Sequence, residues 1–406
     1  MARAWARGPL AWCRRLTSIT VLLFGVALLE ELSSGVPSAG APDIEHVLRL
    51  SHTATAAVLF VVPGLVQLVV DPIVFVLADR FGRPWLVRGG LAAMALTSFA
   101  AALAPGPVTL AVALSIWGVA TGAAVSLTEA TLIDAWPDRQ ARTMARWTLL
   151  SLVGDFAAPM LIGALAVVRG SATGWRTAFA IVGGALAVWA VAVSLRRFPA
   201  PPSGPEDDEP SLWEAVRDAL RDRVLVGWLF GLALCNLLDE ILIVFASLHV
   251  RDALGGSPAW QSATIGAFVA GGAIGLVGLE WLLPRHAERR LIIAFGIASA
   301  AAFVAWLAAP VAWLSALLML FVGATSTPLY PLASAQAYAR RPGRAGVIVV
   351  AGHLFAPFAL ALPWLLGAVA DRAGTGVALS LLVAQPIGLV VLAVATAPVR
   401  RGPATP

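Results

Sequence analysis

Twelve apolar stretches, each long enough to cross a bilayer as a helix, are separated by short segments that hold most of the charge, and this pattern constrains the chain more than any other feature. They run roughly over 16–35, 53–77, 85–104, 108–133, 147–168, 175–195, 224–248, 261–283, 291–308, 311–334, 346–369 and 376–397. In hydrocarbon a backbone must satisfy its own hydrogen bonds, so such stretches can only be helices or closed barrels, and their length selects helices. With 59% hydrophobic and 13% charged residues, 406 residues leave no room for a sizeable water-soluble domain. The expected fold class is an all-α membrane protein with twelve transmembrane helices.

All 28 basic residues are arginine. A chain without lysine has no Walker A phosphate loop, no Schiff-base lysine for pyridoxal chemistry and no kinase lysine, which also argues against ATP-driven pumping by this chain alone. The two cysteines, Cys13 and Cys235, lie too far apart in sequence to suggest a disulfide framework, and the five histidines form no HExxH pattern, so neither a metal site nor a cofactor is expected. The sequence pI of about 10.4 does not indicate nucleic acid, because the arginines are scattered between apolar runs and make no single basic face.

Their distribution instead reports topology. If the loops alternate sides, 23 of the 28 arginines fall on one side, and only Arg49, Arg169, Arg176, Arg251 and Arg372 fall on the other. The positive-inside rule then places both termini in the cytoplasm. The Ala, Arg, Gly and Pro bias suggests a GC-rich bacterial genome, hence a bacterial inner membrane. A signal-peptide reading of the basic N-terminus and Leu16–Leu29 is the alternative, but it would remove the first span and break an internal repeat.

That repeat joins the two halves. Leu23-Phe24-Gly25-Val26-Ala27-Leu28 recurs as Leu229-Phe230-Gly231-Leu232-Ala233-Leu234. A shift of 209 lays Glu30 and Glu31 on Asp239 and Glu240, Asp71 on Glu280, Asp79 on Glu288 and Arg80 on Arg289; a shift of 204 lays Pro159–Leu165 on Pro363–Val369. Acidic residues are scarce here, so their coincidence at one offset supports a duplication into two pseudo-symmetric six-helix bundles. The expected boundaries are 1–198 for the first bundle, 199–223 for a cytoplasmic linker and 224–406 for the second bundle. Pro199 to Pro210 is Pro-rich and acidic, the composition of a flexible linker. Ser211 and Glu214 have capping-box spacing, and Leu212, Trp213, Val216 and Leu220 share one face of a short helix that either lies on the inner leaflet or packs on the bundle.

At the end of the second stretch, Leu77-Ala78-Asp79-Arg80-Phe81-Gly82-Arg83 resembles the loop motif of the major facilitator superfamily, with Phe75 in place of the leading glycine and Pro84 in place of a basic residue. Gly82 permits the reversal, Asp79 can cap a neighbouring helix, and Arg80 and Arg83 anchor the loop inside. Gly154-Asp155-Phe156-Ala157-Ala158-Pro159-Met160-Leu161-Ile162-Gly163 is similar to the Gly-Pro motif that the superfamily's efflux antiporters carry in span 5, with Ala158 and Ile162 at two expected glycines. Gly174-Trp175-Arg176 and Ala370-Asp371-Arg372-Ala373-Gly374 also resemble that superfamily. The resemblance implies alternating access by two rocking bundles, with spans 1, 4, 7 and 10 lining a central cavity.

Intramembrane carboxylates are functional candidates by default, at roughly 2.5–3.5 kcal/mol each on insertion scales. Asp239 and Glu240 lie mid-span with Asn236 one turn earlier, Glu30 and Glu31 occupy the related part of span 1, and Asp155 lies in span 5. These are the expected substrate- and proton-binding residues, weighed against hydrogen bonding to a neighbouring helix. Asp71, Glu129, Asp134 and Glu280, nearer the cytoplasmic ends, are expected in gating or structural ion pairs with Arg80, Arg83, Arg88, Arg289 or Arg290, and Pro159 in the span 5 bend. His353 stands alone and is expected to pack. No arginine lies deep in a span, which disfavours anionic substrates and favours protons, cations or neutral amphiphiles. The expected function is proton-coupled efflux of a small organic molecule by a monomer. The rivals are a proton-coupled uptake symporter and a membrane sensor or intramembrane enzyme, although no catalytic cluster stands at membrane depth.

Overall fold

A computed structural model describes residues 19–50, 52–198, 212–342 and 344–396, and every regular element among them is helical. The acidic linker at 199–210 and Ser211 lie outside the described residues. Among the described residues, ten helices are long and apolar enough to span a bilayer. The seventh and eleventh spans complete twelve: α10 (Arg223–Asp252) is continuous and apolar over Arg223–Cys235, while the eleventh is divided at Leu354 and Phe355 into α15 (Ala345–His353) and α16 (Ala356–Ala373).

Two compact units divide the chain, Met1–Ala135 with Leu150–Asp208, and Trp136–Leu149 with Glu209–Pro406. In the first, α1 (Ile19–Leu48) runs well past its expected end, a five-residue π segment at Ala57–Val61 joins α2 (His52–Ala56) to α3 (Val62–Phe81), and α4 (Arg83–Ala102) follows. The fourth span is α5 (Pro107–Thr121) continued through a π segment at Gly122–Ser126 into α6 (Leu127–Ala135). Then come α7 (Gln140–Arg169), whose residues up to Leu149 group with the second unit, and α8 (Ser171–Ser194). The second unit has the linker helix α9 (Leu212–Arg221), α10, α11 (Pro258–Leu282), α12 (Glu288–Leu307), and a tenth span divided into α13 (Ala312–Ser326) and α14 (Leu329–Ala339). After α15 and α16 it closes with α17 (Thr375–Ser380) and α18 (Ala384–Ala395).

Local chemistry sets the helix starts. Asp222 caps α10 by accepting hydrogen bonds from the Val224 and Leu225 N–H groups, and Pro107 and Pro258 occupy first-turn positions where no N–H is needed. Gly82 turns from α3 into α4 at φ 80°, a conformation glycine adopts without strain. Gly170 before α8 and Gly374 before α17 sit at φ 75° and 88°, an offset of 204, so the duplication extends to backbone dihedrals. Arg176 donates to the Ala102 and Ala104 carbonyls at 2.9 and 2.7 Å, closing the C-terminus of α4, and stacks over Trp175.

The linker helix packs within the second unit on a face that keeps Val216 of the expected one but not Trp213. Ala215, Val216 and Ala219 are buried, and Trp213 is exposed. The small residues face the protein and the tryptophan turns outward.

Candidate functional site

In the first unit, α1 and α7 meet through small residues at the level of their acids. A methyl group at Gly154 would collide with the Leu28 carbonyl and lie 2.8 Å from Glu31 Cβ; one turn on, Gly35 of α1 abuts Ala158. This is the close approach that small residues four apart permit between membrane helices. At Ile162 the contact is looser: its Cδ1 would lie 3.6 Å from a methyl at Gly40, which Trp175 approaches more closely. At Ala158, where the motif in span 5 departs from an expected glycine, Gly35 of the facing helix supplies one, and the close contact survives.

Three of the expected binding residues lie on these two helices. Glu30, Glu31 and Asp155 are all half-buried, with Glu31 against Gly154 and Asp155 the next residue along α7. Ser34 donates to the Glu31 carboxylate at 3.3 Å, and Ser33, which is buried, donates to the Glu30 carbonyl at 2.8 Å. Pro159 lies inside α7 on an exposed face. Trp189 of α8 locks the preceding turn of α1: its indole N–H donates to the Leu22 carbonyl at 2.8 Å and its ring covers Gly25. A tryptophan fitted to a glycine on another helix gives no signal in either stretch alone.

Asp71, expected in a gating or structural ion pair, is packed against a neighbouring span. It is 1% exposed, and its carboxylate lies against Gly122, the first residue of the π segment in span 4; a methyl there would sit 2.9 Å from Asp71 Cγ. One turn earlier on α3, Gln67 covers Gly118 in the same manner. Two polar side chains thus fill a Gly-xxx-Gly groove that apolar helices would normally close backbone to backbone. Such π segments recur at functional sites.

Nearer the loops, Arg83 pairs with Asp134 at 2.6 Å, joining the start of α4 to the end of α6, while Glu129 is half-buried one turn into α6. Glu280 pairs with Arg146 rather than with Arg289 or Arg290. The reason is local: Arg289 is spent on the Val394 carbonyl at 2.9 Å. His353 donates from Nδ1 to the Val349 carbonyl one turn back, at 2.9 Å. The backbones of Asn236, Asp239 and Glu240 lie in α10 and those of Asp79 and Arg80 in α3, but their side chains are outside the described ones.

The fold is shared with known transporters. The structure matches a fucose:proton symporter from Escherichia coli with a TM-score of 0.76 at 13% identity, covering 92% of this chain and 97% of that one. It matches a proton:xylose symporter with a TM-score of 0.69 at 14% identity over 93% and 95% of the two chains. A bacterial homologue of the iron transporter ferroportin, in an outward-facing state, gives 0.73 at 13% identity over 93% and 98%. No curated protein matches the sequence. The family model described as Major Facilitator Superfamily matches residues 23–356, so this multi-pass membrane protein belongs to the major facilitator superfamily of transporters.

Proposed function

We propose that the protein exports a small organic cation or neutral amphiphile in exchange for protons, by alternating access. The observation that carries this reading is the crossing of α1 and α7, where Glu31 lies against Gly154 and the half-buried Glu30 and Asp155 are the adjoining residues of the two helices. Carboxylates are costly in lipid, so three at one crossing are best explained by what they bind. Grouped acids take up and release protons as a set, and a cation or hydrogen-bonding amphiphile competes with those protons for the same oxygen atoms. The small-residue contact adds the mechanical part, because a change of charge at Asp155 bears directly on the turn that seats α1. Asn236, Asp239 and Glu240 are the corresponding candidates of the second half by sequence. The arginine distribution supports cytoplasmic termini in a bacterial inner membrane, and the chain is taken to act as a monomer without a cofactor.

Reconstitution in proteoliposomes under an imposed pH gradient, with a panel of cationic and neutral amphiphiles, tests this. Wild-type protein should move substrate against the proton flow, and Glu31→Gln and Asp155→Asn should each weaken the coupling by about 5- to 150-fold, the usual span of linked binding. Substrate moving with the protons would replace export by uptake symport. Coupling unchanged in both variants would remove the crossing from the mechanism.

A further inference from the structure

The turn between spans 8 and 9 concentrates arginines that the protein does not neutralise. Arg285 lies in the segment that joins α11 to α12, and Arg289 and Arg290 lie in the first turn of α12. None of the three has a carboxylate partner among the described residues. The nearby acids are turned elsewhere: Glu280, at the end of α11, pairs with Arg146, and the half-buried Glu288 accepts from Gln336 of α14 at 2.8 Å. Cations at a helix start also oppose the dipole, which favours an anion there. Arg289 meets the Val394 carbonyl at 2.9 Å, while Arg290 is exposed. Arg285 is held over the Trp281 ring, 4.0 Å from its centre, and donates to the Trp281 carbonyl. Each of the two exposed arginines ends an apolar stripe. On α11, Ile274, Val277 and Trp281 are exposed at helical spacing and lead to Arg285; on α12, Ile297 and Val304 lie about two and four turns from Arg290 on its own face.

We infer that this turn binds an anionic phospholipid of the leaflet on the arginine-rich side, with the phosphate against Arg285 and Arg290 and the acyl chains along α11 and α12. Guanidinium groups present planar N–H pairs that match phosphate oxygens. The apolar stripes say why the anion is a lipid and not a soluble phosphate: they continue from the arginines into the bilayer, and acyl chains are what such faces meet there. An exposed tryptophan at that boundary is the usual marker of headgroup depth, and here its ring also fixes the guanidinium at that depth. The charge selects among lipids. Three arginines against Glu288 leave the turn positive, which attracts a headgroup of net negative charge and gives no such gain to a zwitterionic one.

Native mass spectrometry of the full chain with added phosphatidylglycerol or phosphatidylcholine, and calorimetry with inorganic phosphate, tests the inference. Wild-type protein should retain phosphatidylglycerol in preference to phosphatidylcholine and give no binding heat with inorganic phosphate. Arg285→Gln and Arg290→Gln should each lower phosphatidylglycerol retention by about fivefold, the worth of one basic residue at an anionic surface. Arg285→Lys and Arg290→Lys keep the charge and should keep most of the retention. Arg197→Gln removes an exposed arginine of the first unit and should change nothing. An equal loss in Arg197→Gln would assign the attraction to the whole basic face and overturn the site. Equal retention of the two lipids, undiminished retention in both glutamine variants, or binding of inorganic phosphate as tight as that of the lipid would overturn it as well.

Discussion

Spans 2 and 4 of the first unit and spans 8 and 10 of the second are related by the duplication, yet they pack by opposite means. In the second unit, Gly271 and Gly275 of α11 face the Leu320–Ala324 backbone of α13, and Gly323 of α13 faces Phe268 and Gly272, so the helices touch main chain to main chain. In the first unit the glycines remain on span 4, at Gly118 and Gly122, but Gln67 and Asp71 lie over them. Both fourth-position spans are interrupted at related points, by the π segment at Gly122–Ser126 and by the break at Thr327 and Pro328. The backbone plan was copied and the polar filling was not. Lipid gives no hydrophobic reward for helix association, so close backbone contact is the ordinary solution. At this helix pair the first half replaces it with a buried acid lying over glycine.

Substituting glycines separates the two arrangements with the largest effect. Gly323→Ala would place its methyl 2.9 Å from the Phe268 carbonyl carbon and 3.0 Å from the Gly272 nitrogen, atoms that cannot rotate away. Overpacking of this kind costs about 1–3 kcal/mol or more, and a fall in melting temperature of the detergent-solubilised protein should follow. Gly122→Ala meets the end of the Asp71 side chain, which can swing, so its melting temperature should fall by clearly less. Equal falls would mean that Asp71 is as rigid as backbone and that the two pairs do not differ.

Lipid made most of this fold readable, and it also hid the contacts. Long apolar stretches and arginine-rich loops report which segments are immersed, because burial of backbone and of charge in hydrocarbon is costly everywhere. A helix that is apolar all round has no hydrophobic stripe, so hydropathy does not say which face meets which neighbour. The fit of Trp189 to Gly25, of Gly35 to Ala158 and of Gln67 to Gly118 depends on pairs of residues, each unremarkable alone. The motifs in spans 2 and 5 were legible since Gly82 and Gly154 need their missing side chains whatever lies elsewhere in the stretch. The burial of Asp71 was not, as a position about ten residues before the end of α3 can be a packed interior when the neighbouring span presents glycine. Glu280, which the 209 offset matches to Asp71, is half-exposed and paired with Arg146.

That unequal pair sharpens the comparison. Asp71→Asn keeps the shape of the side chain over Gly122 and removes its proton chemistry, so the fold should persist while transport rate or coupling drops by about 5- to 150-fold. Glu280→Gln removes half of a partly exposed ion pair, and its effect on stability should stay within about 1 kcal/mol. Transport assays and melting curves on both variants measure the difference. Full transport in Asp71→Asn would reduce the buried acid to a packing element, and the two halves would then differ in form alone.

Partly exposed ion pairs contribute little each, and Asp222, paired with Arg340 in the second unit, is the place to measure it. Burial pushes its carboxyl up, but the hydrogen bond and charge of Arg340, with the Leu225 and Val224 N–H groups, outweigh this and hold it below the usual aspartate value. A lowered value in the folded state means that the contribution is fully present above the unfolded value and is lost as pH falls through the folded one, from about pH 4 downward. Asp222→Asn retains the cap, because asparagine caps as well as aspartate, and should abolish the acid-side loss while costing about 0.2–1 kcal/mol for the missing ion pair. Asp222→Ala removes both and should cost about 1 kcal/mol more through the cap. Melting curves across that pH range distinguish the variants, and an acid-side slope that survives in Asp222→Asn would assign it to another carboxylate, with Asp218 beside Arg341 the next to test.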